Sequence, residues 1–143
     1  MIRYAKKEDA TAIYSLNKLS LGYDYPIQQM KQQFTELLDK ENHLLLVALD
    51  DRQEVVGYLH ATSYECLYFP QILNLMALAV RKDFQGQGYG KELMQFLKKE
   101  GRKLGYGGVR INTGIYREVA HHFYHSLGCI EKPSPSPETL IKK

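Results

Sequence analysis

Hydrophobic positions follow two different periods along this chain. Ile2–Tyr4 reads as a short first strand. Ala12, Ile13, Leu16 and Leu19 then recur at the spacing of a helix face, so Lys7–Leu19 is expected to be helical, with Glu8 and Asp9 at the positive end of its dipole. Gly22–Pro26 interrupts the pattern, after which Ile27, Met30, Phe34, Leu37 and Leu38 line one face of a second helix. From His43 the period changes. Leu44–Leu49 is a continuous apolar run, Asp50–Gln53 a polar turn and Val55–Tyr64 a second strand, together an antiparallel hairpin. Ile72–Val80 is a long apolar strand suited to the middle of a sheet. Leu93, Phe96, Leu97 and Leu104 give a helical stripe ended by Gly105, and Val109–Asn112 gives a short strand. Val119, Ala120, Phe123 and Leu127 predict a last helix closed by Gly128. Pro133–Pro137 is a loop, and Thr139–Ile141 a final strand. The order β-α-α-β-β-β-α-β-α-β predicts a mixed α/β fold, its front half antiparallel.

A chain of 143 residues is one domain's worth, so residues 1–143 are expected to form a single domain with its own core. The net charge of +3 suits an anionic small ligand and is too weak to point to nucleic acid, and no basic stripe with interleaved aromatics is present. Cys66 and Cys129 lack metal-ligand spacing and read as reduced intracellular thiols. The N-terminus has no apolar signal core and no apolar run approaches a membrane span, so a cytoplasmic protein is expected.

The chemistry concentrates at Val80-Arg81-Lys82-Asp83-Phe84-Gln85-Gly86-Gln87-Gly88-Tyr89-Gly90-Lys91. A buried strand runs into alternate glycines and then into a helix. The first turn of a helix has unpaired N–H groups at the positive dipole end, and glycines let an anion approach that backbone closely. The spacing is neither Gly-x-Gly-x-x-Gly nor Gly-Lys-Ser/Thr, which excludes the dinucleotide and nucleotide-triphosphate loops. Gln85-x-x-Gly88-x-Gly90 resembles instead the pyrophosphate-binding motif of the GNAT family, the Gcn5-related N-acetyltransferases. Leu78-Ala79-Val80 resembles that family's strand end, and Phe84 its preceding aromatic. Downstream, Arg117, Ala120, His121, Phe123 and Tyr124 resemble the last helix of a branch reading Arg-x-x-Ala-His-x-Phe-Tyr.

The resemblance spans essentially the whole chain. It implies a mostly antiparallel central sheet with helices on both faces and acetyl-coenzyme A as cosubstrate, without a metal. The pyrophosphate would sit on the amides of Gln85, Gly86, Gln87, Gly88, Tyr89, Gly90 and Lys91. The strands ending at Val80 and Asn112 would splay, with the pantetheine arm along Leu78, Ala79 and Val80. Asn112 and Arg117 join the coenzyme contacts, although Arg117 equally suits a substrate anion or a helix-start ion pair. A homodimer is an expectation from the resemblance alone.

Acetyl transfer to an amine needs a neutral nucleophile, an oxyanion donor and a proton for the departing thiolate. Tyr124 matches the family position of the tyrosine that protonates sulfur. His121, three residues earlier, can share its helix face as a base, an orienting group or a structural histidine. Many members carry a glutamate on the central strand, whereas Leu73-Asn74-Leu75-Met76-Ala77 carries no acid. Asn74 is the polar residue of that strand and reads as a water-positioning or a structural amide, with Glu65 the nearest acid. The implied reaction is acetyl transfer to a primary amine of a small molecule or peptide, by direct attack in a ternary complex. Tyrosines in Gly22–Pro26 and Tyr64–Pro70 suit a cationic acceptor. The alternative is a non-catalytic acetyl-coenzyme A-binding regulatory or interaction module.

Overall fold

The computed structural model describes residues 1–112, 129–131 and 138–142. The elements are β1 (Ile2–Tyr4), α1 (Ala10–Leu19), α2 (Ile27–Leu38), β2 (His43–Leu49), β3 (Val55–Tyr64), β4 (Ile72–Val80), α3 (Tyr89–Lys103), β5 (Gly108–Asn112), β6 (Cys129–Glu131) and β7 (Glu138–Lys142). They form one seven-stranded sheet of order β1-β2-β3-β4-β5-β7-β6, in which β4 and β5 are the parallel pair. This is the mixed, mostly antiparallel α/β architecture that the periodicity and the family resemblance predict. The expected helix Val119–Leu127 lies outside the described residues.

Two differences from the expected elements have local causes. Lys7–Asp9 forms a 3-10 turn ahead of α1. Asp9 is buried there: it accepts two bonds from the Arg3 guanidinium, at 2.8 and 3.1 Å, and one from the Lys6 N–H at 2.7 Å. It thus pins β1 to the start of α1 rather than serving as a free helix-dipole charge. The second difference is β6, which no periodicity announced because three residues are too few to show one. It pairs with β7, and β7 inserts between β5 and β6.

The sheet is buried on both faces, which is why β2 reads as an unbroken apolar run. Leu93, Met94 and Leu97 of α3 pack on Leu44, Leu46, Leu59, Leu73 and Ile111. Ile13 and Leu16 of α1, with Met30 and Phe34 of α2, pack on Leu45, Val47, Tyr58 and Ala79. Each fully buried leucine contributes roughly 1.5–3 kcal/mol. Among the described residues no helix is long and apolar enough to cross a membrane.

One irregularity organises β4. It pairs antiparallel with β3, but His60 lies opposite Ala77 and Ala61 opposite Leu75, so Met76 is an extra residue. This β-bulge shifts the alternation by one. Leu73, Leu75 and Leu78 consequently share the α3 face, while Asn74, Ala77 and Ala79 share the α1–α2 face.

Candidate active site

The centre of the sheet opens beside the bulge. β4 and β5 pair only from Leu73–Val109 to Leu75–Ile111. Among the described residues no strand pairs with β4 on that side from Met76 to Val80, a free edge of about 16 Å. The antiparallel ladder decides which groups line it. Arg81 N–H donates to the Val56 carbonyl at 2.7 Å, so Arg81 and Val56 form a hydrogen-bonded pair. Bonded and non-bonded pairs alternate, so Val80 opposite Gly57 and Leu78 opposite Leu59 turn their N–H and C=O away from β3 and onto the free edge. The Val80 carbonyl is already occupied: Gln85 Nε2 donates to it at 3.0 Å and Ser20 Oγ at 3.4 Å. The Val80 N–H and both Leu78 groups remain as an extended edge that another chain can pair with.

The glycine loop lies at the end of this edge. A 3-10 turn over Lys82–Phe84 leads through Gln85, and Gly88 is the residue that starts α3. Gly88 has φ +91° and ψ 2°, a left-handed conformation that glycine adopts without penalty, and a Cβ there would enter open space. Among the described residues no side chain caps the helix, whose first internal bond runs from Glu92 N–H to the Gly88 carbonyl at 2.9 Å. The N–H groups of Tyr89, Gly90 and Lys91 therefore face outward at the positive end of a fifteen-residue helix. Gln85, through its bond to Val80, ties this loop to the strand end. Phe84 packs edge-on against Tyr89 and carries the Arg81 guanidinium 4.6 Å above its ring. Arg81 in turn makes a bidentate pair with Asp83 at 2.8 and 2.9 Å. Gly86, Gln87 and Lys91 are exposed around the cradle.

The other predicted residues separate. Asn74 stands on the α1–α2 face next to the bulge. Its Nδ2 contacts Met76 Sδ at 3.2 Å, and among the described residues its buried Oδ1 has no hydrogen-bond partner. Glu65 is not beside it: it sits exposed in the β3–β4 connection and accepts a 2.6 Å bond from Gln71 Nε2. The ring of Tyr64, expected to await a cationic acceptor, stacks on Phe69 and already holds the Arg110 guanidinium 4.5 Å from its centroid. Tyr23 and Tyr25 remain exposed between α1 and α2. That connection is anchored by Asn17, whose carbonyl accepts from Tyr23 N–H and whose Oδ1 accepts from the buried Tyr58 hydroxyl. Burial, with Tyr23 adding to it, pushes the Tyr58 phenol up to about 12, which keeps it a donor. Tyr124, His121, Arg117 and the side chain of Asn112 lie outside the described residues.

The periodicity of the sequence passed over one pair. On the Asn74 face, His60 Nε2 lies 2.9 Å from His43 Nδ1. A polar residue on an alternating strand looks like a solvated position. The signal was that His60 falls on the same alternation as buried Tyr58, and so points into the sheet's covered face.

The profile of the acetyltransferase (GNAT) family matches residues 10–129. The N-acetyltransferase YhdJ of Bacillus subtilis (strain 168), itself uncharacterized, is 26% identical over 120 residues, covering 84% of this chain and 82% of that protein. A transcriptional regulator from Bacillus halodurans C-125 superposes with a TM-score of 0.83 at 22% identity, covering 94% of this chain and 93% of that one. The aminoglycoside antibiotic 6'-N-acetyltransferase AAC(6')-Ih from Acinetobacter baumannii superposes with a TM-score of 0.82 at 17% identity, covering 94% and 92%. With a family profile spanning most of its length, the chain belongs to the acetyltransferase (GNAT) family.

Proposed function

We propose that this single-domain chain transfers the acetyl group of acetyl-coenzyme A to a primary amine of a small molecule or peptide. The observation that carries the reading is the conjunction of an unpaired β4 edge with an uncapped helix N-terminus at its end. The pantetheine amides pair with Leu78 and Val80 as an added strand would, and the pyrophosphate sits on the N–H groups from Gln85 to Lys91. The thioester then lies at the bulge, with Asn74 on the α1–α2 side, from which the amine approaches past Tyr23 and Tyr25.

The amine nitrogen attacks the thioester carbon, the C–S bond breaks, and the thiolate takes the phenolic proton of Tyr124, which is restored by the proton that the attacking nitrogen loses as the amide forms. Asn74 Oδ1 holds the water that receives the amine's proton, since a buried acceptor oxygen with no partner among the described residues is suited to that task. Two solved neighbours are aminoglycoside 6'-N-acetyltransferases, which puts a cationic aminosugar in the acceptor panel beside polyamines, aminophosphonates and peptide amines.

Release of free thiol from acetyl-coenzyme A across that panel tests the reading. Acceptor-dependent release establishes a transferase. Tight binding of acetyl-coenzyme A without thiol release from any acceptor establishes a non-catalytic module instead.

A further inference from the structure

The β4 strand carries no acid, and Glu65 is turned away into the β3–β4 connection, so the amine's proton needs another exit. Tyr58, His60 and Thr62 of β3 lie on one face of the sheet with Asn74 and Ala77 of β4, because His60 is opposite Ala77 and Thr62 opposite Asn74. His60 therefore stands one cross-strand diagonal from Asn74, about 7–8 Å, a span that one or two waters bridge. Its Nε2 is directed to β2, where it meets His43 Nδ1 at 2.9 Å. The two nitrogens of an imidazole point away from each other, so Nδ1 of His60 faces away from β2. His43 is the first residue of its strand, and β1 with the following Ala5 covers β2 only from Leu45 onward, so the pair runs from the bulge toward the sheet's margin.

Resting on the acetyltransferase reading above, we propose that His60 and His43 form the proton outlet of this enzyme. The acceptor ammonium gives its proton to the water on Asn74 Oδ1, and that water protonates His60 Nδ1. His60 passes its Nε2 proton to His43 Nδ1, and His43 releases its Nε2 proton to solvent. One proton enters and one leaves, and the tautomers reset through water. His60 and His43 act through the water, as positioning and relay residues.

Neutral rings are required. Burial, with His43 adding to it, lowers His60 to about 4, while burial and then the charge of Lys40 lower His43. Among the described residues, Lys40 after α2 is the charged group acting on the pair. Arg110 on β5 shares the sheet face and is held over Tyr64.

The test is the pH dependence of kcat for thiol release by the full chain. It compares wild type, His60→Gln and His43→Gln with one acceptor, with and without added imidazole. The relay predicts kcat lower by about tenfold or more near neutral pH in both variants, converging on wild type at alkaline pH where the amine is already neutral. It also predicts an unchanged KM for acetyl-coenzyme A and partial rescue by imidazole. Values within twofold of wild type from pH 6 to 8, or a loss uniform in pH and untouched by imidazole, would overturn it. If His60→Gln does not fold, the partly exposed His43→Gln decides by the same criteria. Failure of the underlying reading is distinguishable, because wild type itself then releases no thiol and the relay falls with it.

Discussion

Gly88 and Gly105 sit at opposite ends of α3 in nearly the same backbone conformation, φ +91° and +89°, and a Cβ on either would meet nothing within 4 Å. Gly105 closes the helix in a Schellman arrangement, with Tyr106 N–H donating to the Gly101 carbonyl and Gly105 N–H to that of Arg102. An L-side chain held in the left-handed region costs about 1–2 kcal/mol. Gly88→Ala and Gly105→Ala should therefore destabilise the fold by the same amount, which lowers Tm by roughly 3–8 °C for a chain of this size. Their effects on the coenzyme should differ. The Gly105 site is about 25 Å away along the helix, whereas a Cβ on Gly88 stands in the space proposed for the pyrophosphate. Gly88→Ala should raise the Kd for acetyl-coenzyme A at least about tenfold, equivalent to 1.4 kcal/mol, and Gly105→Ala should leave it unchanged. Urea melts measure the first quantity and titration calorimetry the second. Equal affinities in two equally destabilised variants would refute the placement of the pyrophosphate on this loop, and unequal stabilities would refute the strain argument itself.

Further expectations follow from single contacts. Tyr124→Phe should lower kcat about 10²–10⁴-fold with KM for acetyl-coenzyme A nearly unchanged in steady-state kinetics; a change within twofold assigns the hydroxyl a structural role. Asn74→Leu should slow turnover while circular dichroism shows an intact fold, and full activity would remove Asn74 from the chemistry. Burial alone would raise the Asp9 carboxyl, but the bonds from Arg3 and the Lys6 N–H outweigh it and hold it below its ordinary value of 3.8. Its contribution is therefore complete above that value and is lost as pH falls through the lower folded one. Asp9→Ala, which leaves the half-buried Arg3 only its bond to the Tyr4 carbonyl and removes the acceptor of the Lys6 N–H, should cost about 1.5–3 kcal/mol in urea melts at pH 7 and progressively less in strong acid. The depressed His60 behaves with the same sign: stability is full above about 6.5 and falls toward pH 4 as the unfolded chain takes up the proton first, a slope that His60→Gln should flatten.

What the chain declares locally and what it settles only on folding divide along a clear physical line. Helix stripes such as Leu93, Leu97 and Leu104, the αL stop at Gly105 and the glycines after Val80 depend on neighbours within a turn or two, and all were legible in the residues. So was the Asn at 74, because one polar side chain in an apolar strand has to find a purpose. Contacts between distant segments were not legible. A run such as Ile72–Val80, apolar but for Asn74, has no alternation to read, so its faces were set only when pairing with β3 extruded Met76 and moved Leu78 onto the α3 side. The same pairing turned the Leu78 and Val80 backbone groups onto the free edge. Gln85 looked like a ligand contact, yet only the folded loop brings its amide to the Val80 carbonyl. His43 and His60 are seventeen residues apart, and the register of β2 against β3 alone brings them within hydrogen-bonding distance. Local periodicity follows from the geometry of one helix or one strand. Register, bulges and strand insertion are fixed by packing between elements, where burial of both sheet faces selects one arrangement from several that the sequence pattern would allow.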